Sequence, residues 1–274
     1  SREMKIFKNK EDLKSEIIFD KSISFIPTMG GLHKGHISLI KRAKKINNKT
    51  LVSIYVNPKQ FNKRNDFKKY PRNLQKDIKI LKKQKIDYLY LPTYNDIFNF
   101  KPINKIYLHK FSKQLCGKFR KGHFEGVLDV VNRFLEVIKP KYIFLGLKDF
   151  QQLKLIDKHI KKNKINTKII CCKTIREPNC VACSTRNFHL NYEQMKIAKK
   201  VYDFLYNIKK RTKKNIKFFN SLLFKKKLIK LGVNKIDYLE IINLEKLKKP
   251  TSIKENFNIF IAYYLKNIRL IDNF

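Results

Sequence analysis

Apolar and polar positions follow two different periods along this chain. Short apolar runs recur at SISFI (22–26), LVSIYV (51–56), DYLYL (87–91), YIFLG (142–146) and TKIICC (167–172). Each is strand-length, bounded by polar turns and almost unbroken, the pattern of a strand covered on both faces. Between the runs the period lengthens. Residues 72–84 place Leu74, Ile78 and Leu81 on one helical face, and residues 124–138 do the same with Val127, Val130, Val131, Phe134, Leu135 and Ile138. Strand–helix–strand alternation of this kind predicts an α/β fold, a Rossmann-like parallel sheet with helices on both faces. After about residue 175 the rhythm changes: helical segments at 192–210 and 218–231 precede expected strands at 235–242 and 258–265. A smaller C-terminal α+β domain is expected over 176–274, behind a nucleotide-binding domain over 1–175. The stretch EPNCVACSTRN (177–187) would connect them and cover a site.

In an open parallel sheet, ligands bind beyond the carboxyl ends of the strands. That directs attention to the loops 27–36, 57–72, 117–123 and 146–152. The first reads PTMGGLHKGH. A glycine pair between strand and helix lets the backbone approach a ligand, and a helix start is expected to offer free N–H groups to an anion such as phosphate. His33 and His36 lie one helical turn apart, so both imidazoles can face one group. The spacing fits neither the Walker A loop nor the Rossmann glycine fingerprint. GKFRKGH (117–123) approaches the former but has histidine where lysine is required. In the other loops stand Asn57-Pro58-Lys59-Gln60, Gly146-Leu147-Lys148-Asp149 with Gln151 and Gln152, and Ser184-Thr185-Arg186. A lysine there neutralises polyphosphate, an amide orients a polar substrate without adding charge, and two hydroxyls with a guanidinium can clamp phosphate. The last group reads equally as an ordinary capping loop.

Charge changes this picture less than its size suggests. The formal net charge is +41, but 53 of the basic residues are lysines and only 10 are arginines, spread over the whole chain. No arginine-rich stripe marks a nucleic-acid footprint, so specific nucleic-acid binding is not expected; non-specific binding would fade as salt rises. The longest apolar runs are too short to cross a bilayer, and the segment SREMKIFKNKEDLK lacks an apolar signal core. Five cysteines fit free thiols in a cytoplasmic protein. Cys180 and Cys183 have CxxC spacing, but a zinc site needs a second pair, and the adjacent Cys171 and Cys172 make a poor one.

Six ordered motifs carry a family resemblance: PTMGGLHKGH, VSIYVNPKQF (52–61), YPR (70–72), FRKGHFEGV (119–127), FLGLKDFQQ (144–152) and REPNCVACSTRN (176–187). Together they resemble pantothenate synthetase (pantoate–β-alanine ligase), as do DYLEI (237–241) and RLIDN (269–273) in the tail; HxGH alone would indicate only the wider nucleotidyltransferase superfamily. The resemblance implies that ATP, with Mg²⁺, adenylates pantoate and that β-alanine then displaces AMP, in a cytoplasmic homodimer. It implies an ATP site of Met29, Gly30, Gly31, Leu32, His33, Lys34, Gly35, His36, Gly146, Leu147, Lys148, Asp149, Ile175, Cys183, Ser184, Thr185 and Arg186. Within that set His36 is the implied proton donor, and His33, Lys148 and Arg186 are further catalytic groups. Gln60 and Gln152 match pantoate-binding amides, with Val130, Val131 and Phe134 as an apolar wall; that stripe reads equally as core. Asp77 matches a metal-associated aspartate, but Lys76 stands where the family often has a second acid, so that role loses its acidic partner. Cys180 stands where glycine is usual. Two rival readings remain: another HxGH nucleotidyltransferase acting on a different acid, and a basic RNA-binding protein.

Overall fold

The computed structural model describes residues 3–46 and 49–274. The chain divides into two compact units, Ser1–Ile175 and Arg176–Phe274.

Six parallel strands form the sheet of the first unit: β1 (Lys5–Phe7), β2 (Ile23–Thr28), β3 (Lys49–Ile54), β4 (Tyr88–Tyr90), β5 (Tyr142–Gly146) and β6 (Lys168–Cys172), in spatial order β1-β4-β3-β2-β5-β6. Helices α1 (Lys10–Ile17), α2 (Lys34–Lys44), α3 (Arg64–Lys69), α4 (Leu74–Lys83), α5 (Tyr94–Phe98), α6 (Cys116–Phe119), α7 (His123–Ile138) and α8 (Phe150–Lys162) connect them. The unbroken apolar runs have the cause expected of them. Phe25 and Ile26 are both fully buried and alternate across β2. Phe25 meets the ring of Phe134 on α7 edge-on at 5.5 Å. Ile26 packs on the other face with Ile40 and Ala43 of α2, Leu81 of α4, Val52 and Phe144.

Two details depart from the expected elements. β1 and α1 were not anticipated, because a three-residue strand is too short to show a period. β3 leaves its ladder two residues before the expected end, although the Tyr55 amide still donates to the Thr28 carbonyl at 3.1 Å. Connections from β2 run outward through β3 to β4, and those from β5 run the opposite way to β6. The winding therefore reverses between β2 and β5, which is where such sheets open a crevice.

The second unit holds α9 (Tyr192–Thr212), α10 (Ser221–Leu231) and the antiparallel strands β7 (Lys235–Asn243), β8 (Phe257–Leu265) and β9 (Ile268–Asn273). Val201 and Leu205 of α9 and Phe224 and Leu228 of α10 cover Leu239, Ile259 and Ile261 of the sheet. β9 was not anticipated as a strand, and its residues explain the tail motifs as scaffolding. Arg269 pairs with Asp237 at 2.9 Å. Asp272 takes a two-pronged ion pair from Arg176, at 2.7 and 2.9 Å. The Arg176 guanidinium also lies over Tyr202 and Phe274.

Candidate active site

The turn after β2 and the turn after β5 border the crevice. In the first, Thr28 donates its hydroxyl to the Ser53 carbonyl at 2.8 Å and accepts the Gly30 amide at 3.2 Å. Gly30 and Gly31 take φ of 76° and 60°, a region that disfavours any residue with a Cβ. The Gly31 and Leu32 amides both donate to Asp77 of α4, one to each carboxylate oxygen, at 3.0 Å each. His33 caps α2: its Nδ1 accepts the Gly35 amide at 3.0 Å, while its own amide donates to Nδ1 of His36 at 3.1 Å.

These bonds correct the expectation of a turn that offers its backbone to phosphate. The amides of residues 30, 31, 32, 33 and 35 all end on protein acceptors. What the turn presents is side chains. A neutral imidazole whose Nδ1 accepts a hydrogen bond carries its proton on Nε2, so this capping box fixes the tautomer of both rings, whose centroids lie 4.1 Å apart. Burial, then the neighbouring His33 and Lys148, push His36 well below the usual histidine range. In this geometry His36 is a neutral hydrogen-bond donor, which differs from the proton-donor role that the resemblance implies.

Lys148 lies in the 3-10 turn Leu147–Asp149 directly after β5, close enough for its charge to be felt at His36. The glycine before it is unlike Gly30. Gly146 has φ −84° and ψ 141°, ordinary for any residue, and a Cβ built there would meet nothing within 4 Å. Nothing inside the protein requires a glycine at this point.

Asn57, 1% exposed, organises the loop after β3. Its Nδ2 donates to the Gly126 carbonyl at 3.0 Å and to Gln60 Oε1 at 3.2 Å, while its Oδ1 accepts the Lys59 amide. With Oε1 occupied, Gln60 presents its Nε2 donors. His123 Nδ1 bonds the Gln60 carbonyl at 2.8 Å, and Gly126 admits the loop because a Cβ there would sit 2.3 Å from the Lys59 oxygen. Asn57 is the positioning residue that the sequence reading leaves without a role, although its Asn-Pro turn was the available signal. Gln151 is consumed internally: its amide bonds the Cys116 amide and the carbonyls of Phe111 and Gln114. Its half-buried neighbour Gln152 makes no such bonds and stays available.

The remaining candidates divide. Val130, Val131 and Phe134 are buried, and Phe134 packs edge-on against both Phe25 and Tyr90, which commits that ring to the core. Met29, Gly35 and Ile175 are half-buried, and Lys34 and Asp149 are exposed. Cys183, Ser184, Thr185 and Arg186 belong to the second unit. There Ser184 Oγ accepts the Arg186 amide at 3.2 Å, while Thr185 and Cys183 are buried. For Asp77, both oxygens already hold backbone amides, and no cluster of three or more His, Cys, Asp or Glu side chains suited to a metal occurs among the described residues.

The profile of the family described as Pantoate-beta-alanine ligase matches residues 5–274. This chain belongs to the pantoate–β-alanine ligase family. Among relatives of that family, the pantothenate synthetase of Francisella tularensis subsp. novicida is 39% identical over 268 residues, covering 97% of this chain and 94% of its own. That of Sulfurihydrogenibium sp. is 36% identical over 258 residues, with 92% and 91% covered. The crystal structure of the Francisella tularensis ligase, complexed with beta-gamma ATP and beta-alanine, superposes with a TM-score of 0.84 at 39% identity over 99% of this chain and 97% of that one. The Thermus thermophilus enzyme superposes at 0.87 with 27% identity, covering 99% of each chain. The ligase fold, a six-stranded parallel sheet followed by a separate three-stranded antiparallel one, is the architecture described above.

Proposed function

We propose that this ligase activates pantoate with ATP through a pantoyl-adenylate intermediate. A pantoate carboxylate oxygen attacks the α-phosphorus, the bond from that phosphorus to the bridging oxygen breaks, and pyrophosphate leaves. The amine of β-alanine then attacks the acyl carbon, the carbon–oxygen bond to AMP breaks, and pantothenate forms as the nitrogen gives up its proton. Activation is needed because a free carboxylate is a poor acyl donor, and attack in line at phosphorus asks mainly for positioning and charge neutralisation.

The observation that carries this reading is the Nε2–H that the capping box fixes on His36, within electrostatic reach of Lys148 on the turn that follows Gly146. His36 would donate to phosphate oxygens as charge develops, Lys148 would neutralise the leaving pyrophosphate, and Gly146 to Asp149 would admit the nucleotide. Gln60 Nε2 and Gln152 would take the oxygens of pantoate, with Val130 and Val131 against its methyl groups and Phe134 bracing them. Met29 to His36 and Ile175 would line the ATP site. Cys183 to Arg186 would close over it, a role supported by family resemblance and by the hydroxyl-guanidinium chemistry of Ser184 and Arg186. The residues present do not fit a resident magnesium, since Asp77 is engaged with backbone amides; Mg²⁺ would enter only as the counter-ion of ATP. A cytoplasmic homodimer completes the reading, with the five free thiols in keeping with the first part.

Pantoate-dependent exchange of labelled pyrophosphate into ATP tests the proposal directly. Exchange that requires pantoate, with pantothenate and AMP formed once β-alanine is added, is the expected result. Exchange supported by a different acid and not by pantoate would overturn it.

A further inference from the structure

We infer that Asp77 is a positioning residue whose carboxylate sets the reacting geometry of His36 through the backbone of the glycine turn, and that it is not a metal ligand. The inference rests on the proposed role of His36 in adenylation.

The connection is continuous and short. Asp77 sits in the first turn of α4, which Asn73 caps, and is 3% exposed. Its two oxygens hold the successive amides of Gly31 and Leu32. Holding two adjacent amides on one planar group fixes the orientation of that stretch of chain rather than its distance alone. The next amide is that of His33, which donates to Nδ1 of His36. Asp77 therefore fixes the chain leading to the peptide that fixes the His36 ring, and so sets where Nε2–H points. The packing around it leaves little room for another arrangement. A Cβ at Gly30 would lie 3.0 Å from Asp77 Oδ2 and 3.2 Å from Ile54 Cγ2, and Leu32, beside the clamped amide, is itself buried in the core with Ile26 and Ile40.

The arrangement also explains why a buried acid stands beneath a turn meant to face polyphosphate. A carboxylate in a phosphate-binding crevice is unfavourable unless its charge is met, and here two N–H donors meet it. A metal ligand would instead need its oxygens turned to the ion.

The test is Asp77→Asn, which keeps shape and one acceptor oxygen but turns an NH₂ group toward one of the two amides. The expected result is a fall of roughly 10- to 100-fold in kcat for pyrophosphate exchange, the scale of a small misplacement of a reacting group. The KM for ATP and the Mg²⁺ concentration needed for half-maximal rate should stay unchanged. In ¹⁵N spectra of the free protein, His36 should appear as a single Nε2–H tautomer in the wild type and as a mixture in the variant. In the wild type, the Gly31 and Leu32 amides should be protected from hydrogen exchange. A folded variant with wild-type kcat and an unchanged His36 signal would overturn the inference. So would a defect relieved by added Mg²⁺, which would mark a metal ligand. If the variant does not fold, rapid exchange of the two wild-type amides would overturn it and protection would uphold it. Loss of pantoate dependence in the wild type would count against the functional reading alone, because the amide and tautomer measurements need no substrate.

Discussion

In the turn after β2, five backbone amides end on protein acceptors and two glycines hold left-handed φ angles. In the turn after β5, Gly146 has an unstrained backbone, and beyond its chain neighbours no protein atom lies within 4 Å of its missing Cβ. Both turns border one crevice, and both would be described from sequence as glycine-containing ligand loops. Their glycines serve different ends. Those of the first allow the chain to fold onto Asp77 and into a capping box, so that two imidazoles are aimed. The glycine of the second clears volume. Electrostatic catalysis needs both, since groups fixed before the reaction cost no reorganisation during it, and they act only if the substrate can reach them.

The strongest way to break the first turn is to remove what it aims. His36→Ala should lower pantoate-dependent exchange by about 10²–10³-fold, the scale of deleting one preorganised donor. Stability should fall by only ~1 kcal/mol, for the lost acceptor of the His33 amide. Steady-state kinetics and urea denaturation of the same preparation check both numbers. A folded variant with near-normal exchange would remove His36 from the mechanism.

A histidine away from the crevice separates neutrality from function. His159 of α8 is fully buried, accepts the Tyr107 amide at Nδ1 (3.0 Å) and bonds Asn132 through Nε2 (2.9 Å). Burial pushes it down to about 4 from an ordinary 6.5. The unfolded chain takes up its proton near pH 6.5 and the folded chain does not until about pH 4. The contribution is therefore constant above pH 6.5 and is lost as the pH falls from there toward 4, reaching ~3 kcal/mol at the lower end. Urea unfolding of wild type and His159→Gln between pH 7.5 and 4.5 should show that extra slope in the wild type alone. Equal slopes would mean that the histidine does not titrate between the two states.

The two glycines offer a crossed test. Gly30→Ala adds a Cβ at φ 76°, 3.0 Å from Asp77 Oδ2, and should cost ~1–2 kcal/mol of stability. Gly146→Val suits its extended backbone and should leave Tm unchanged while raising the KM for ATP about tenfold or more, if the space belongs to the nucleotide. Loss of Tm at position 146 with unaltered kinetics would collapse the distinction between the turns.

How far the sequence carried this depends on the range of each interaction. The strands that are buried on both faces announce themselves as apolar runs, whereas β1 spans three residues and borrows its stability from β4, far along the chain. The spacing of His33 and His36 is local, so their shared direction was legible. The fate of most of the turn's amides was not: the Thr28 hydroxyl that takes the Gly30 amide is local, but Asp77 reaches Gly31 from 46 residues away, and the acceptors of the His33 and Gly35 amides are ring nitrogens that become acceptors only once folded. The choice of Gln152 over Gln151 came from resemblance. Periodicity says that adjacent helical residues face differently, but only the carbonyls of Phe111 and Gln114 show which of them is consumed.

The second unit holds a turn that is strained without a catalytic reason, and it sharpens the contrast with Gly30. Between the paired residues Arg176 and Ala182, the chain reverses through Glu177–Val181, with the Cys180 amide donating to the Glu177 carbonyl at 2.8 Å. Cys180 sits there at φ 75°, a left-handed angle that favours glycine. A side chain in that region strains the backbone by about 1–2 kcal/mol, partly offset because glycine costs more entropy on folding. Cys180→Gly should therefore stabilise the protein by roughly 0.5–1 kcal/mol and raise Tm by a few degrees at most. Differential scanning calorimetry under reducing conditions reads that change. A decrease would mean that the thiol contributes a contact worth more than the strain. Exchange kinetics near the wild-type value would further separate this turn, whose conformation the scaffold imposes, from the glycine turn of the first unit, whose conformation aims the histidines.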